Sequence, residues 1–138
     1  AESQIQNDFI KFYKENGHEV DVYVSEGNQE LVDKLEPGMV KGITATANGF
    51  YGPQGRVLRL KAQIPNQNEL LRDFRSGEQR IVNFEMETSG LYGIGSLLGH
   101  KCCTVCAVIA NRFSKTYSED YRVTVDKLID TVLDRLTV

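Results

Sequence analysis

Residues 50–56, FYGPQGR, put a planar amide and a planar guanidinium beside two aromatic rings. Gln54 offers amide donors and an acceptor and Arg56 offers donors only, so together they could read the edge of a planar heterocycle stacked on a ring. Gly55 between them gives the backbone the freedom to bring both groups to one edge. The alternative is an ordinary turn whose aromatics belong to the core and whose polar pair is solvated. We call residues 50–56 the polar turn.

Residues 83–88, NFEMET, hold the second set of candidate side chains. Glu85 and Glu87 are two apart, so in an extended chain both carboxylates leave on one side while Met86 points into the core. An ionised carboxylate can accept two O–H donors at once, which favours a role in binding vicinal hydroxyls. Two alternatives stay open, a pair that complements a helix N-terminus and a glycosidase acid/base pair. We call residues 83–88 the carboxylate loop.

The polar turn and the carboxylate loop must be positioned by secondary-structure elements, and predicted strands and helices alternate along the chain. The run 101–111 is the longest apolar one and predicts a strand buried on both faces. Alternating strands and helices predict one α/β domain over residues 1–138, with a sheet flanked by helices. In such sheets ligands gather where strands end, and both candidate sets follow a predicted strand. The strand patterns cover 21–25, 39–47, 57–65, 81–85 and 101–111, and the helix patterns cover 3–16, 28–38, 66–80, 86–100 and 121–138.

Composition narrows the classes of function. With 41% hydrophobic and 25% charged residues the chain can build a real core. A net charge of −3 predicts no general nucleic-acid binding. No apolar run approaches the roughly 20 residues of a membrane span, and residues 1–12 lack a secretory pattern, so we expect a soluble, unsecreted protein. The three cysteines, Cys102, Cys103 and Cys106, are expected to be buried thiols of a reducing compartment, with no metal site.

Three stretches in a fixed order carry a resemblance to a known family. GITATANGFYGPQGR at 42–56, VNFEMETSGLYGIGSLLGH at 82–100 and TVCAVIANR at 104–112 resemble the uridine phosphorylases of the nucleoside phosphorylase family. The resemblance runs from about residue 40 to the C-terminal helix. It implies a nucleoside phosphorylase-like mixed sheet flanked by helices, present here as a partial chain, the C-terminal portion of the fold.

The resemblance implies a role for each residue of the base site. Phe50 is expected to pack against sugar and base, and Gln54 and Arg56 to hydrogen-bond the uracil edge. Ile109 and Ala110, at the end of the predicted buried strand, are expected to line the pocket near uracil C5.

The ribose side follows from the same resemblance. Glu87 is expected to bind the 2′- and 3′-hydroxyls, Met86 to line the ribose site and lend its backbone N–H, and Glu85 to support them from the same loop. The family therefore implies Glu87 and Arg56 as the catalytic residues, and it places Arg112 in an adjacent loop that covers the base.

The implied activity is that of a pentosyltransferase, the reversible phosphorolysis of uridine to uracil and ribose 1-phosphate. Purine phosphorylases of similar fold carry acidic residues where Gln54 and Arg56 stand and an Asp where Asn111 stands, so these residue types favour a pyrimidine. Phosphate is the expected co-substrate, with no other cofactor. The family implies a cytoplasmic enzyme of pyrimidine salvage and nucleoside catabolism, and a homo-oligomer, either a dimer or a hexamer of dimers.

The phosphate-binding motifs of the family have no match in these 138 residues. We therefore expect the chain to supply base and ribose contacts only and to be inactive alone. Two alternatives remain open at this stage. One is a purine or other nucleoside phosphorylase or a hydrolytic nucleosidase, and the other is a non-catalytic nucleoside-binding protein that lacks the phosphate loop.

Overall fold

The computed structural model describes residues 3–137, and residues 1, 2 and 138 lie outside it. Helices and strands are mixed along the chain, as their alternating patterns predict. The helices are α1 Gln4–Glu15, α2 Gln29–Leu35, α3 Gln67–Asp73, α4 Thr88–Leu97 and α5 Tyr121–Leu136. The strands are β1 Ile43–Thr46, β2 Arg75–Ser76, β3 Gln79–Glu85, β4 Ala110–Asn111 and β5 Thr116–Tyr117.

The central sheet has the order β1-β3-β2. β1 runs parallel to β3, with Thr46 opposite Glu85, whereas β2 is antiparallel to β3. Because parallel strands end at the same edge of a sheet, the polar turn after β1 and the carboxylate loop at the end of β3 leave the sheet side by side. β4 and β5 form a separate antiparallel hairpin.

The core is small and largely aromatic around α1. Phe74, at the end of α3, is fully buried and meets the rings of Phe9 and Phe12 edge-on, at centroid distances of 4.9 and 5.8 Å. Tyr13 stacks on Phe9 at 4.4 Å and is also buried. These rings share one face of α1 at helical spacing, which is why the helix forms against the β2–β3 corner.

Several predicted elements are shorter than expected or absent. Residues 21–25 form no strand, and residues 57–65 run through bends with Val57, Leu58 and Leu60 exposed. The predicted helix 66–80 ends at Asp73, because Arg75–Ser76 turns back onto the start of β3. The strand patterns at 39–47 and 81–85 are right in type, with bounds Ile43–Thr46 and Gln79–Glu85.

The predicted buried strand 101–111 is wrong. Only Ala110–Asn111 pairs, with β5, and Val108 is 66% exposed. Isolated hydrogen bonds hold the earlier part, from the Asn28 N–H to the Cys102 carbonyl at 2.7 Å and from the Thr104 N–H to the Tyr92 hydroxyl at 2.8 Å. In the described chain no strand pairs with residues 101–109, and none of these residues is fully buried.

The three cysteines lie in that segment. Cys102 and Cys103 are half-buried and Cys106 is exposed, so the prediction of buried core thiols is wrong, and all three are free thiols. Gly95 on α4 packs so closely here that an added Cβ would stand 2.3 Å from the Cys102 sulfur.

The helix α5 forms as its amphipathic pattern predicts, but none of its residues is buried. Its apolar stripe and α2 border an open groove of about 310 Å³. The accessible surface of the chain is 10187 Å², against about 7,200 Å² expected for a compact monomer of this mass. The groove is lined by Leu31, Leu35, Cys103, Val105, Leu128, Ile129, Val132, Leu133 and Leu136.

Candidate functional site

The polar turn is closed by its own backbone. A short 3₁₀ helix, Gly52–Gln54, has Pro53 as its second residue, whose ring fixes φ, and is capped by Gly55 with φ of 72°. That left-handed conformation is cheap only for glycine. The Arg56 N–H then returns to the Tyr51 carbonyl at 2.9 Å. The turn therefore holds Gln54 and Arg56 on one compact loop at the end of β1.

Gln54 is buried, with 5% of its surface exposed. Its side-chain oxygen Oε1 accepts hydrogen bonds from Arg56 at 2.5 Å and from Arg112 at 2.6 Å, and its backbone carbonyl accepts from Arg112 at 2.5 Å. Two guanidinium donors on one oxygen fix which end of the amide carries the carbonyl. The Nε2 donor is left as the end that can serve a ligand. The alternative of a solvated Gln54 is wrong.

Phe50 lies at the mouth of the turn. The ring is 51% exposed, and the Arg56 guanidinium carbon stands 3.7 Å above its centroid. Arg56 also donates to the Phe50 carbonyl at 2.5 Å. Phe50 and Tyr51 are therefore surface rings and not the core aromatics of the alternative interpretation. The cation–π contact holds Arg56 against the ring and beside Gln54.

Arg112 joins three parts of the chain. It follows β4, donates to Gln54, and lies 5.3 Å above the ring of Phe84 in β3. Burial first, and second the positive charge of Arg56, lower the pKa of Arg112. A guanidinium remains charged at neutral pH even so. Arg112 therefore places two positive charges side by side at the polar turn and ties this turn to the end of β3.

Ile109 and Ala110 lie on the β4–β5 hairpin. Both are exposed, and Ile109 accepts a hydrogen bond from the Ser118 N–H at 2.8 Å. They do not end a buried strand as predicted, because that strand does not form. Together with neighbouring hairpin residues they line a shallow open pocket of about 230 Å³. The same hairpin carries Arg112, which donates to Gln54 of the polar turn.

Glu85 turns its carboxylate inward. One oxygen accepts from the Thr46 hydroxyl at 2.7 Å, and the other accepts from the N–H groups of Glu87 and Thr88, both at 2.8 Å. Partial burial acts to raise the pKa of Glu85, but these hydrogen bonds outweigh burial and the net pKa is lowered. The carboxylate is thus ionised and holds the first turn of α4, as the helix-terminus alternative expects.

Glu87 is the exposed carboxylate of the pair. It is the N-cap residue of α4, and its Oε2 accepts from the Met86 N–H at 3.1 Å. Met86 is 38% exposed and does not point into the core. The two carboxylates therefore do not leave together. Glu85 serves the loop, and Glu87 is the carboxylate open to a ligand.

The polar turn and the carboxylate loop thus meet at one edge of the sheet, through paired strands and through Arg112 above Phe84. Thr46 lies in the stretch 42–56 that resembles the family, but nothing in its residue type marks it as a site residue, and only the pairing of β1 with β3 places it opposite Glu85. Within residues 3–137, no group of three His, Cys, Asp or Glu side chains is arranged to hold a metal ion. None of the described helices is long and apolar enough to cross a membrane.

Comparison with known proteins gives the family. The family model of the phosphorylase superfamily matches residues 5–135. A uridine phosphorylase of Thermococcus kodakarensis is 38% identical over 79 residues, which cover 56% of this chain and 27% of that protein. A crystal structure of a Trypanosoma brucei nucleoside phosphorylase with uridine phosphorylase activity has a TM-score of 0.84 at 23% identity, covering 99% of this chain and 50% of that one.

The matches therefore take in half or less of the length of either relative. The likeness to the Trypanosoma brucei structure extends over almost the entire chain, so the mixed α/β fold is the one expected from the resemblance. With a family match that spans nearly all of its residues, the chain belongs to the phosphorylase superfamily.

Proposed function

We propose that this chain supplies the base- and ribose-binding part of a uridine phosphorylase, a pentosyltransferase that cleaves uridine reversibly with phosphate. The observation that carries the proposal is the fixed amide of Gln54, held by Arg56 and Arg112 beside the strand that leads to Glu87. The uridine phosphorylase of Thermococcus kodakarensis, which matches part of the chain, supports the same activity.

The base is recognised by the polar turn. Because both guanidinium groups donate to Gln54 Oε1, the amide keeps its Nε2 donor for the ligand. Gln54 and Arg56 hydrogen-bond the uracil edge, with the positive charge of Arg112 close to them. Uracil leaves the sugar with negative charge developing on its carbonyl oxygens. Donors and positive charge that are already in place stabilise that charge more strongly than they stabilise the neutral ground state. Ile109 and Ala110 line the apolar side of the base site, near uracil C5.

The ribose is recognised at the carboxylate loop. Glu87 accepts the 2′- and 3′-hydroxyls, and its negative charge lies near the sugar, which becomes oxocarbenium-like as the glycosidic bond breaks. Met86 lines the ribose and Phe50 packs against sugar and base. Positioning and electrostatics carry the reaction, and no covalent nucleophile is required.

The remaining parts of the proposal concern the whole protein. Phosphate is the co-substrate, with no other cofactor, and is bound by a part of the phosphorylase fold that has no counterpart in this chain. We further propose a homo-oligomer, either a dimer or a hexamer of dimers, that acts in pyrimidine salvage in the cytoplasm, where the three free thiols described above would stay reduced.

The test separates binding from catalysis. Uridine, uracil and adenosine are titrated into the isolated chain, with backbone amide spectra as readout, and we expect uridine and uracil to perturb the polar turn. Phosphate-dependent uracil release is then measured for a polypeptide that joins this chain to a phosphate-binding half. Gln54→Ala should lower kcat/KM for uridine by about a hundredfold, and retention within about twofold would contradict the base-reading role.

The same assays address the alternatives. A preference for adenosine over uridine would favour a purine phosphorylase, and uracil release that needs no phosphate would favour a nucleosidase. Uridine binding without any turnover in the joined polypeptide would favour a nucleoside-binding protein. We expect the isolated chain to release no uracil, so phosphate-dependent release by it would refute that part of the proposal.

A further inference from the structure

Thr46 occupies a junction between β1, β3 and α4. It pairs with Glu85 across the sheet, and its hydroxyl donates to Glu85 Oε1 at 2.7 Å. The same hydroxyl oxygen accepts from the Ser89 N–H at 3.1 Å, in the first turn of α4. One side chain therefore uses both its donor and its acceptor to join the end of the sheet to the start of the helix.

The hydrogen bond from Thr46 to Glu85 Oε1 affects α4 because the other carboxylate oxygen of Glu85 binds the start of that helix. Glu85 Oε2 accepts the N–H groups of Glu87 and Thr88, both at 2.8 Å. A carboxylate is planar, so fixing Oε1 at Thr46 also fixes the direction in which Oε2 points. Hydrogen bonds to an ionised acceptor are stronger than neutral ones. The position of the Glu87 backbone thus depends on a chain of contacts that begins at Thr46.

We propose that Thr46 is a positioning residue for ribose recognition: through Glu85 it holds Glu87 where its carboxylate can accept two vicinal hydroxyls. This inference rests on the proposed function of Glu87. Thr46 itself is not expected to touch the ligand. A threonine is well suited to the role because its branched Cβ restricts χ1 in a strand, which keeps the hydroxyl aimed at one partner.

The test compares three substitutions in the chain. Thr46→Val keeps the shape and removes the hydroxyl, Thr46→Ser keeps the hydroxyl, and Thr131→Val is the matched control. The Thr131 hydroxyl donates to the Lys127 carbonyl at 2.7 Å on exposed α5, far along the chain from the site. Carbon-detected NMR titration follows the Glu85 carboxyl group. Glu87 and the Cys106 thiol are ionisable groups near Glu85, so they are followed in the same titration.

We expect the pKa of Glu85 to rise toward its ordinary value in Thr46→Val and to stay lowered in Thr46→Ser and Thr131→Val. The dissociation constant for uridine should rise roughly tenfold in Thr46→Val, the loss of about one charge-assisted hydrogen bond. That for uracil, which has no ribose, should change by less than about twofold. Thr46→Ser should restore most of the uridine affinity.

The outcomes separate this inference from the proposed function. If the unsubstituted chain binds uridine but Thr46→Val leaves both the Glu85 pKa and uridine affinity unchanged, the inference is overturned and the proposed function stands. An equal loss of uridine and uracil affinity also overturns it, because that result indicates a general structural role. If the unsubstituted chain does not bind uridine, the proposed function fails. The Glu85 pKa and the exchange rates of the Glu87 and Thr88 amides in Thr46→Val then decide whether Thr46 positions the loop.

Discussion

The guanidinium of Arg112 donates to both oxygens of Gln54, the side-chain Oε1 at 2.6 Å and the backbone carbonyl at 2.5 Å. These two residues are 58 positions apart, so one contact fixes both the loop and the amide that the loop presents. Since Arg56 donates to the same Oε1, the amide cannot rotate without losing two charge-assisted bonds. The Nε2 donor of Gln54, which we propose reads the base, is thus oriented before a ligand arrives.

Arg112→Lys is expected to weaken this arrangement, because one ammonium group cannot reproduce the planar fork that reaches both oxygens. We expect the dissociation constant for uridine to rise about tenfold, with the fold intact. Arg122→Lys is the matched control, since no hydrogen bond from the Arg122 side chain is found among the described residues. Binding is measured by titration with amide spectra as readout, and equal affinities of the two variants would contradict the role of Arg112.

Gly55→Ala is expected to strain the polar turn. Gly55 has φ of 72°, which costs a residue with a side chain about 1–2 kcal/mol, and an added Cβ would stand 3.0 Å from the Asn68 amide. Gly52→Ala lies in the same turn without positive φ and with open space around the added Cβ. We expect Gly55→Ala to lower the free energy of unfolding in urea by about 1–2 kcal/mol and Gly52→Ala to change it by less than about 0.5 kcal/mol. Similar losses at both positions would contradict this account.

The buried phenol of Tyr13 is expected to make the free energy of unfolding depend on pH in alkaline solution. Burial raises its pKa from 10.0 to about 12. The folded chain therefore favours the neutral phenol, and the stability from this group is complete below pH 10 and is lost as the pH rises through about 12. We expect Tyr13→Phe to flatten the fall in stability over that interval, measured by urea unfolding at a series of pH values. An unchanged slope in Tyr13→Phe would show that Tyr13 is not the group responsible.

Phe74, a buried apolar side chain, is expected to contribute more to the free energy of unfolding than Ile129, a half-exposed one. Phe74 is fully buried, so Phe74→Ala should cost about 3–5 kcal/mol in the free energy of unfolding. Ile129 is 50% exposed in the groove of α5, so Ile129→Ala should cost no more than about 1 kcal/mol. Both are measured by urea unfolding at low protein concentration. A cost at Ile129 close to that at Phe74 would mean that the groove is covered in solution.

The sequence predicts the positions of the two candidate loops better than it predicts the elements around them. The polar turn and the carboxylate loop are marked by local features, the Pro53–Gly55 turn chemistry and two carboxylates behind a strand, and local features survive in the fold. Their meeting follows from β1 and β3 being parallel neighbours. Family resemblance adds the roles proposed for residues such as Glu87, which residue types alone left among several alternatives.

What could not be predicted depends on contacts between distant segments. Nothing in NFEMET tells which carboxylate turns inward, because the answer lies with Thr46 on another strand. The run 101–111 has the composition of a buried strand, but a strand needs a paired neighbour, and apolar residues alone do not supply one. Likewise the contact that holds the Gln54 amide comes from Arg112, on a hairpin that begins at the end of that run.

The open apolar stripe of α5 has a consequence for any thermal measurement on this chain. Among the described residues, α2 and the segment around Cys103 and Val105 border this stripe but bury none of its side chains fully, so an apolar surface that docks there, including a second molecule, would stabilise the folded state by mass action. If two copies meet at this stripe, the melting temperature is not a constant of the polypeptide but rises with its concentration. Melting curves recorded at several dilutions would therefore have to be extrapolated to zero concentration before they describe the isolated fold.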